Sequence, residues 1–505
     1  MSATASTSAK VFVFLFLFRY VRLIVHIIAY FCYKPSPVPA NPSVTEKDVT
    51  VIIPTVSPSG PDFEQCIRSV VGTNAAQVLV VVVGKAKLAE ARVFCDQFPT
   101  VRVLASPVAN KRIQICTAMP EVRTTIAILC DDHVFWPTYF LPDVLAPFED
   151  PKVGAVGTVK GVVREHSGFS NKDFWNFIAC LYLTRRNFDQ IATSATDNGV
   201  STLSGRTAAF RTSILAAPDF MHEFCNEYFF FGMIGPLNAD DDKFTTRWLT
   251  NHGWLIKVQD KKTCMMETTL GDFPRYLTQC VRWTRTQWRS NAKSLWTEGT
   301  IWRTQPWCVY AVYLTSMVNF ALFYDSGLLF SLWMAVRDGD CAKTAMCCLG
   351  AWIFCSKLVK TSVHFLRYPA DLVYLPGYIA FAYFHSLIKL YALCTFYVIA
   401  WGSRGADVDG PQNTAAQAVE DKNVNPSEAE MLIPCINIPE YGTMNANLMN
   451  ANTTATSSRV RSPDGHSETS ASSSSHSGVG TSSQSSPSNS KSGVRCNSDC
   501  HEKSD

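Results

Sequence analysis

Two long apolar stretches, Val11 to Tyr33 and Trp307 to Trp401, constrain this chain more than any other feature. A helix covering the first would reach across a hydrocarbon core of about 30 Å. Nothing between residues 45 and 300 resembles either stretch. The chain therefore divides into an N-terminal extension (1–10), a transmembrane helix (11–33), a globular region (45–300), a second apolar region (306–404) and a polar tail (405–505). With 47% apolar and 17% charged residues, the apolar share is gathered rather than spread, as in a membrane protein. A net charge of +3, with no basic run interleaved with aromatics, excludes a nucleic-acid partner. The lipid bilayer is the expected partner. The 18 cysteines lack the dense, regular spacing of a secreted disulfide framework, so a reduced, cytosol-facing domain is the simpler expectation.

The first apolar stretch is not uniform. Arg19, Arg22 and His26 recur at helical spacing and give it one polar stripe. An arginine near mid-membrane costs roughly 2.5 to 3.5 kcal/mol, so the stripe should face protein or a wet cavity. An interfacial helix that never spans is the alternative. In the second region, stretches near 307–324 and 372–401 are long enough to span. Those near 326–336 and 344–356 carry charges close by and fit spans, a re-entrant pair or interfacial helices, giving two to four spans in all. Arg282, Arg285, Arg289, Lys293 and Arg303 precede these stretches against the single acid Glu298, which by the positive-inside tendency holds the globular region in the cytosol. The Ser-rich tail has too little apolar content for a core and should be disordered and cytosolic. Its Asn452 sequon is then unused, and Cys496, Cys500 and His501 make a weak metal set.

From about Thr45 to Thr300, β-rich runs VTVIIP, VLVVVV, VRVLA and TTIAIL alternate with helix-compatible stretches. The pattern predicts an α/β domain with a mainly parallel sheet covered by helices. Ligands of such sheets gather at the carboxyl ends of strands, which points to Pro54 and Thr55 and to Asp131, Asp132 and His133. The last three offer oxygen and imidazole ligands suited to Mg²⁺ or Mn²⁺, although acid pairs at strand ends also serve as caps. Asp240, Asp241 and Asp242 open a second amphipathic helix. One aspartate would suffice to cap it, whereas three adjacent carboxylates repel and can raise one pKa toward that of a general base. Gln279, Arg282 and Trp283 share one helical face, an amide, a guanidinium and an indole able to hold a sugar ring and a diphosphate together.

In this order the set resembles the processive family 2 glycosyltransferases, the hyaluronan, chitin and cellulose synthases. It is most similar to the fungal hyaluronan-synthase-like enzymes that make surface or capsular polysaccharide, over roughly Asp48 to Arg404. The resemblance implies that Pro54 and Thr55 open the nucleotide site and that Lys111 and Arg112 contact the donor. The Asp-x-Asp metal motif then falls on Asp131 and His133, a departure from its second carboxylate. Ser204 and Gly205 match the acceptor-side Ser-Gly motif, with Arg206 where proline is common. The Gly-Asp-Asp motif falls on Ala239, Asp240 and Asp241, which makes Asp241 the implied base and Asp242 the next choice. Gln279, Arg282 and Trp283 match Gln-x-x-Arg-Trp, implying donor contacts, with Trp283 also on the acceptor. Trp401, Gly402 and Arg404 lie in WGSR, similar to the Trp-Gly-Thr-Arg that ends the last span. The second strand's usual aspartate is replaced by Gly84 and Lys85, which leaves the nucleotide open, with UDP the default.

The resemblance therefore implies a GT-A type domain on a helical transmembrane base. It implies an inverting enzyme that polymerises sugar from a nucleotide-sugar, by the family's default a UDP-sugar, with Mn²⁺ or Mg²⁺ as cofactor. The growing polysaccharide is the acceptor, and Arg19 and Arg22 with the WGSR segment are candidate channel or gating residues of a plasma-membrane enzyme. Transfer of one sugar to a lipid such as ceramide, or an inactive membrane scaffold, are the alternatives.

Overall fold

The computed structural model describes residues 3–164 and 169–399. Trp401, Gly402, Arg404, Asn452, Cys496, Cys500, His501 and the Ser-rich tail lie outside these residues.

Parallel strands buried on both faces need continuous apolar runs, and the four runs expected from the sequence form such strands. They are β1 (Val49–Pro54), β2 (Gln77–Val83), β3 (Val101–Ser106) and β4 (Ile126–Cys130). Pairing is parallel in the order β3-β2-β1-β4. Val49, Val51 and Ile53 pack on one face of the sheet, and Ile52, Leu79 and Val81 on the other. After the short β5 (Val134–Phe135) come β6 (Val153–Thr158), β7 (Lys160–Val162), β8 (Thr207–Arg211), β9 (Leu255–Gln259) and β10 (Met266–Thr268). The main sheet continues β4-β8-β6-β9, with β8 antiparallel to both neighbours. A small sheet, β5-β10-β7, stands beside it. The chain thus has the mostly parallel α/β architecture of a GT-A-like domain.

Helix α1 (Ala3–Cys32) starts before the expected extension ends. Helix α2 (Asn171–Asp197) packs on it, and α3 (Asp241–Asn251) and α4 (Arg275–Ala292) follow. The last apolar elements are α5 (Ala321–Val336), α6 (Ala342–Val359) and α7 (Leu375–Cys394). By length and composition, segments 4–32, 342–359 and 369–394 are able to cross a membrane.

The stretch 307–324, expected as one straight span, is instead broken. Segments 306–318 and 321–336 meet at 90°. Asn319 and Phe320 leave helical geometry at the bend. There the Lys389 ammonium donates to the carbonyls of Ser316 and Asn319, and Ser386 Oγ accepts from Leu322 N–H. Backbone groups freed by a break among buried apolar helices need such partners, and α7 supplies them.

The polar stripe of α1 faces protein. Arg19 pairs with Asp325, Arg22 donates to the Ala311 carbonyl at 2.8 Å, and His26 Nδ1 lies 2.9 Å from Asp189 Oδ1. The basic cluster before the apolar region does not form a loose surface. Arg289 is buried, and Arg285 reaches Thr395 at 3.0 Å.

Candidate active site

A cleft of about 210 Å³ opens at the carboxyl ends of β1 and β4. Pro54, Thr55, Asp131, Asp132 and His133 line one rim because both strands end there. Thr55 Oγ1 donates to Asp132 Oδ2 at 2.6 Å, and His133 Nδ1 lies 2.8 Å from Asp132 Oδ1. Gln114, buried beneath, donates to the Thr55 and Val81 carbonyls and ties the ends of β1 and β2 together.

Lys111 begins the helix Lys111–Ala118, whose N-cap Asn110 accepts from Arg112 and Ile113 N–H. Its ammonium lies 2.8 Å from Asp131, 2.9 Å from Asp241 and 3.0 Å from the Gly205 carbonyl. Burial opposes the ammonium charge, but these two carboxylates outweigh it and raise its pKa. Arg112 points the other way, fully buried and outside the cleft. It donates to Glu227 at 2.9 Å and to the carbonyls of Phe224 and Ala239. Arg247 and Lys293 share Glu227. Burial would raise the pKa of Glu227, but Arg247, Arg112 and Lys293 together hold it at about 2. Arg112, expected at the donor, is thus held by Glu227 and two backbone carbonyls behind the cleft.

The opposite rim is formed by Ser204 and Gly205 ahead of β8, by Asp240 to Asp242 at the start of α3, and by Gln279, Arg282 and Trp283 on α4. A Cβ on Gly205 would stand 3.4 Å from that of Asp242 and 3.6 Å from Lys111 Nζ, so any larger side chain would intrude between them. The three aspartates have separate environments. Asp240 has φ +67°, a left-handed conformation that favours glycine, and its side chain caps nothing. Its carboxylate is held by Arg289 at 2.7 Å and by Thr286. Asp241 pairs with Lys111. The Asp242 carboxylate has no hydrogen-bond or ion-pair partner among the described residues, and burial plus the charges of Asp241 and Asp240 raise its pKa.

Trp283 stacks on Tyr182, ring centroids 4.9 Å apart and planes 10° from parallel. Arg206 lies over the Trp283 ring, 5.6 Å from its centroid. Arg282 faces the cleft without a protein partner among the described residues, and Gln279 Oε1 is buried and unpaired. The sequence reading missed Lys160 and Arg186, which also line the cleft, and treated Arg206 only as a departure from proline. Burial, with Arg186 and Arg206 nearby, pushes Lys160 down to about 7. No local signal marks these residues, since each reaches the cleft from a different element.

Tyr182, Arg186, Lys243, Trp283 and Gln287 form a wall shared with a second cavity of about 340 Å³. Arg19 and Arg22 line that inner cavity, not the cleft.

Hard oxygen donors at the end of β4 suit a divalent cation. Among the described residues, no three His, Cys, Asp or Glu side chains converge into a closed ligand set. The donor set therefore fits an ion that takes much of its coordination from phosphate and water, as Mg²⁺ sites commonly do.

A family model described as Glycosyltransferase like family 2 matches residues 47–286. A type 2 glycosyltransferase of Gibberella zeae is 42% identical over 400 residues, covering 78% of this chain and 75% of its own. Another from Zymoseptoria tritici is 43% identical over 402 residues, covering 78% and 84% respectively. Among solved structures, the mannosyltransferase PcManGT from Pyrobaculum calidifontis, in complex with GDP-Man and Mn²⁺, aligns with 77% of this chain and 98% of its own at 17% identity and a TM-score of 0.48. Identity of this order to the two fungal enzymes, held over most of each chain, makes this chain a member of the family 2 glycosyltransferases, which transfer sugar from nucleotide-sugar donors.

Proposed function

We propose that this chain is a membrane-bound, inverting enzyme that transfers sugar from a UDP-sugar to a growing polysaccharide and exports the product through its apolar helices. The observation that carries the reading is the unpaired carboxylate of Asp242 in the cleft, between the strand-end acids and the Arg282–Trp283 face. Lys111 and Arg282 face the donor's diphosphate, and Asp131 and Asp132 would hold Mn²⁺ or Mg²⁺, with His133 oriented by Asp132. The ion's contribution is to neutralise charge developing on the leaving diphosphate. Trp283, held by Tyr182 and Arg206, would contact the acceptor sugar beside Ser204 and Gly205 where it lines the cleft.

Asp242 takes the proton from the acceptor hydroxyl. The oxygen attacks the anomeric carbon from the face opposite the diphosphate, whose C–O bond breaks as the new one forms. Asp242 replaces Asp241 as the base in this reading. Asp240 has the backbone conformation that suits glycine, so the Gly-Asp-Asp pattern falls on Asp240, Asp241 and Asp242. Asp241 is engaged by Lys111, whereas Asp242 is unpaired and has a raised pKa, closer to that suited to a general base.

In this reading the catalytic region, 45–300, lies on the cytosolic face of the plasma membrane, with the apolar region 306–404 as its membrane base. The test is incubation of detergent-purified protein with a panel of radiolabelled UDP-sugars and Mn²⁺, followed by product sizing. A ladder of long products supports polymerisation, whereas a single lipid-extractable adduct overturns it.

A further inference from the structure

The inner cavity has an uneven charge distribution. Arg22 of α1, Arg185 of α2, Lys360 just after α6 and Lys389 of α7 all line it, and the one carboxylate among its lining residues is Asp189. Asp189 is already shared by Lys360 and His26. Arg22, Arg185 and Lys389 have no carboxylate within ion-pair distance among the described residues. Arg22 Nε is buried without a hydrogen-bond partner, and the Arg185 guanidinium makes no hydrogen bond to any described residue. Arg22, Arg185, Lys360 and Lys389 line the same cavity, so the cations face one locus.

Burying like charges together is unfavourable unless something supplies the opposite charge. A guanidinium-rich locus suits phosphate, whose oxygens accept paired N–H donors. We propose that this cavity binds the phosphate of an anionic membrane lipid, next to the acceptor side of the cleft at Trp283. The proposal rests on reading the apolar helices as membrane spans. Three of the four cations stand on or immediately after helices that are long and apolar enough to cross a bilayer. A polyanionic glycan fits less well, because its charges would have to pass the shared wall beside Asp240 to Asp242.

Full-length protein in a neutral detergent tests the proposal by calorimetry, with dihexanoyl phosphatidic acid as the probe. Inorganic pyrophosphate, a short oligogalacturonate and dihexanoylglycerol form the comparison arms. The expected result is binding of phosphatidic acid but not of the uncharged lipid. Arg185→Gln and Arg22→Gln should each weaken it about tenfold, Arg185→Lys should retain most of it, and UDP binding should be unchanged in all three. Retained UDP binding shows that the variants are folded. Pyrophosphate binding as tight as phosphatidic acid, preferential oligogalacturonate binding, or no effect of either glutamine variant would each overturn the proposal. Carbonate extraction of cell membranes separates the underlying reading: release of the protein into the aqueous fraction would refute the spans whatever the calorimetry shows.

Discussion

In the cleft, Asp131 and Asp241 share Lys111, and Asp240 is held by Arg289, so two of the three aspartates in the triplet are paired with a cation. Beyond the Trp283 wall, in the inner cavity, Arg22, Arg185 and Lys389 have no carboxylate partner among the described residues. The contrast separates two uses of charge. Paired charges in the cleft fix geometry and leave Asp242 as the free carboxylate of the triplet, whereas unpaired cations in the cavity leave it poised for an anion. Removing a charge should therefore have very different consequences on the two sides of the wall.

The largest expected effect is at Asp242. Asp242→Asn should lower transfer by ~10² to 10⁴ while leaving nucleotide binding nearly intact, since loss of a general base has effects of this size. Asp241→Asn should retain more activity, because its partner Lys111 still has Asp131. Steady-state kinetics with a fixed donor read both. A dead Asp241 variant beside an active Asp242 variant would return the base to Asp241.

Next in size is stability. Arg289→Met leaves Asp240 buried without its counter-charge, and breaking such a pair costs about 3 to 5 kcal/mol. Arg289 also donates to the carbonyls of Phe396 and Val398, so the loss should loosen the chain after α7 as well. Arg185→Gln abandons no carboxylate and should change stability by no more than about 1 kcal/mol. Denaturant unfolding in detergent compares the two. Equal losses would erase the distinction between cleft and cavity.

The same contrast marks what the sequence could reveal. The buried strands were legible because parallel strands covered on both faces must be apolar throughout, and VIIP or VLVVVV satisfies that locally. Gln279, Arg282 and Trp283 were legible because helical spacing alone puts them on one face. Arg112 was not, because its partner Glu227 stands 115 residues away. The register of the aspartate triplet was hidden in a dihedral angle, since three adjacent aspartates look alike until one of them is seen at φ +67°. The bend near Asn319 was hidden for the same reason as Arg112. It depends on Lys389, which stabilises the freed carbonyls from another helix.

A smaller effect concerns pH. The raised pKa of Asp242 means that activity should fall as pH drops through a value above the ordinary carboxylate range, where the base becomes protonated. The charge of Asp241 is one cause of that rise, so Asp241→Asn should shift the acid limb of kcat/KM to lower pH. An unmoved limb would assign the titration to another group.

The smallest expected effect asks where the imbalance of charge begins, and Lys160 is the residue to ask it of. It lines the cleft, donates to Gln190 rather than to a carboxylate, and is held at about 7 by burial and by Arg186 and Arg206. Its unfolded value is near 10.4, so between these limits the unfolded chain binds the proton more readily than the folded protein does. Folding is then opposed by this lysine at neutral pH, and stability should rise as pH climbs from about 7 toward 10. Lys160→Met removes the titration, and its stability should rise less steeply over that window, by at most about 1.4 kcal/mol per pH unit. Parallel unfolding curves for the two proteins from pH 7 to 9.5 measure the difference. A flatter slope in the variant would place the start of the cationic excess inside the cleft itself. Identical slopes would mean that Lys160 stays charged when folded, with the imbalance confined to the cavity beyond Trp283.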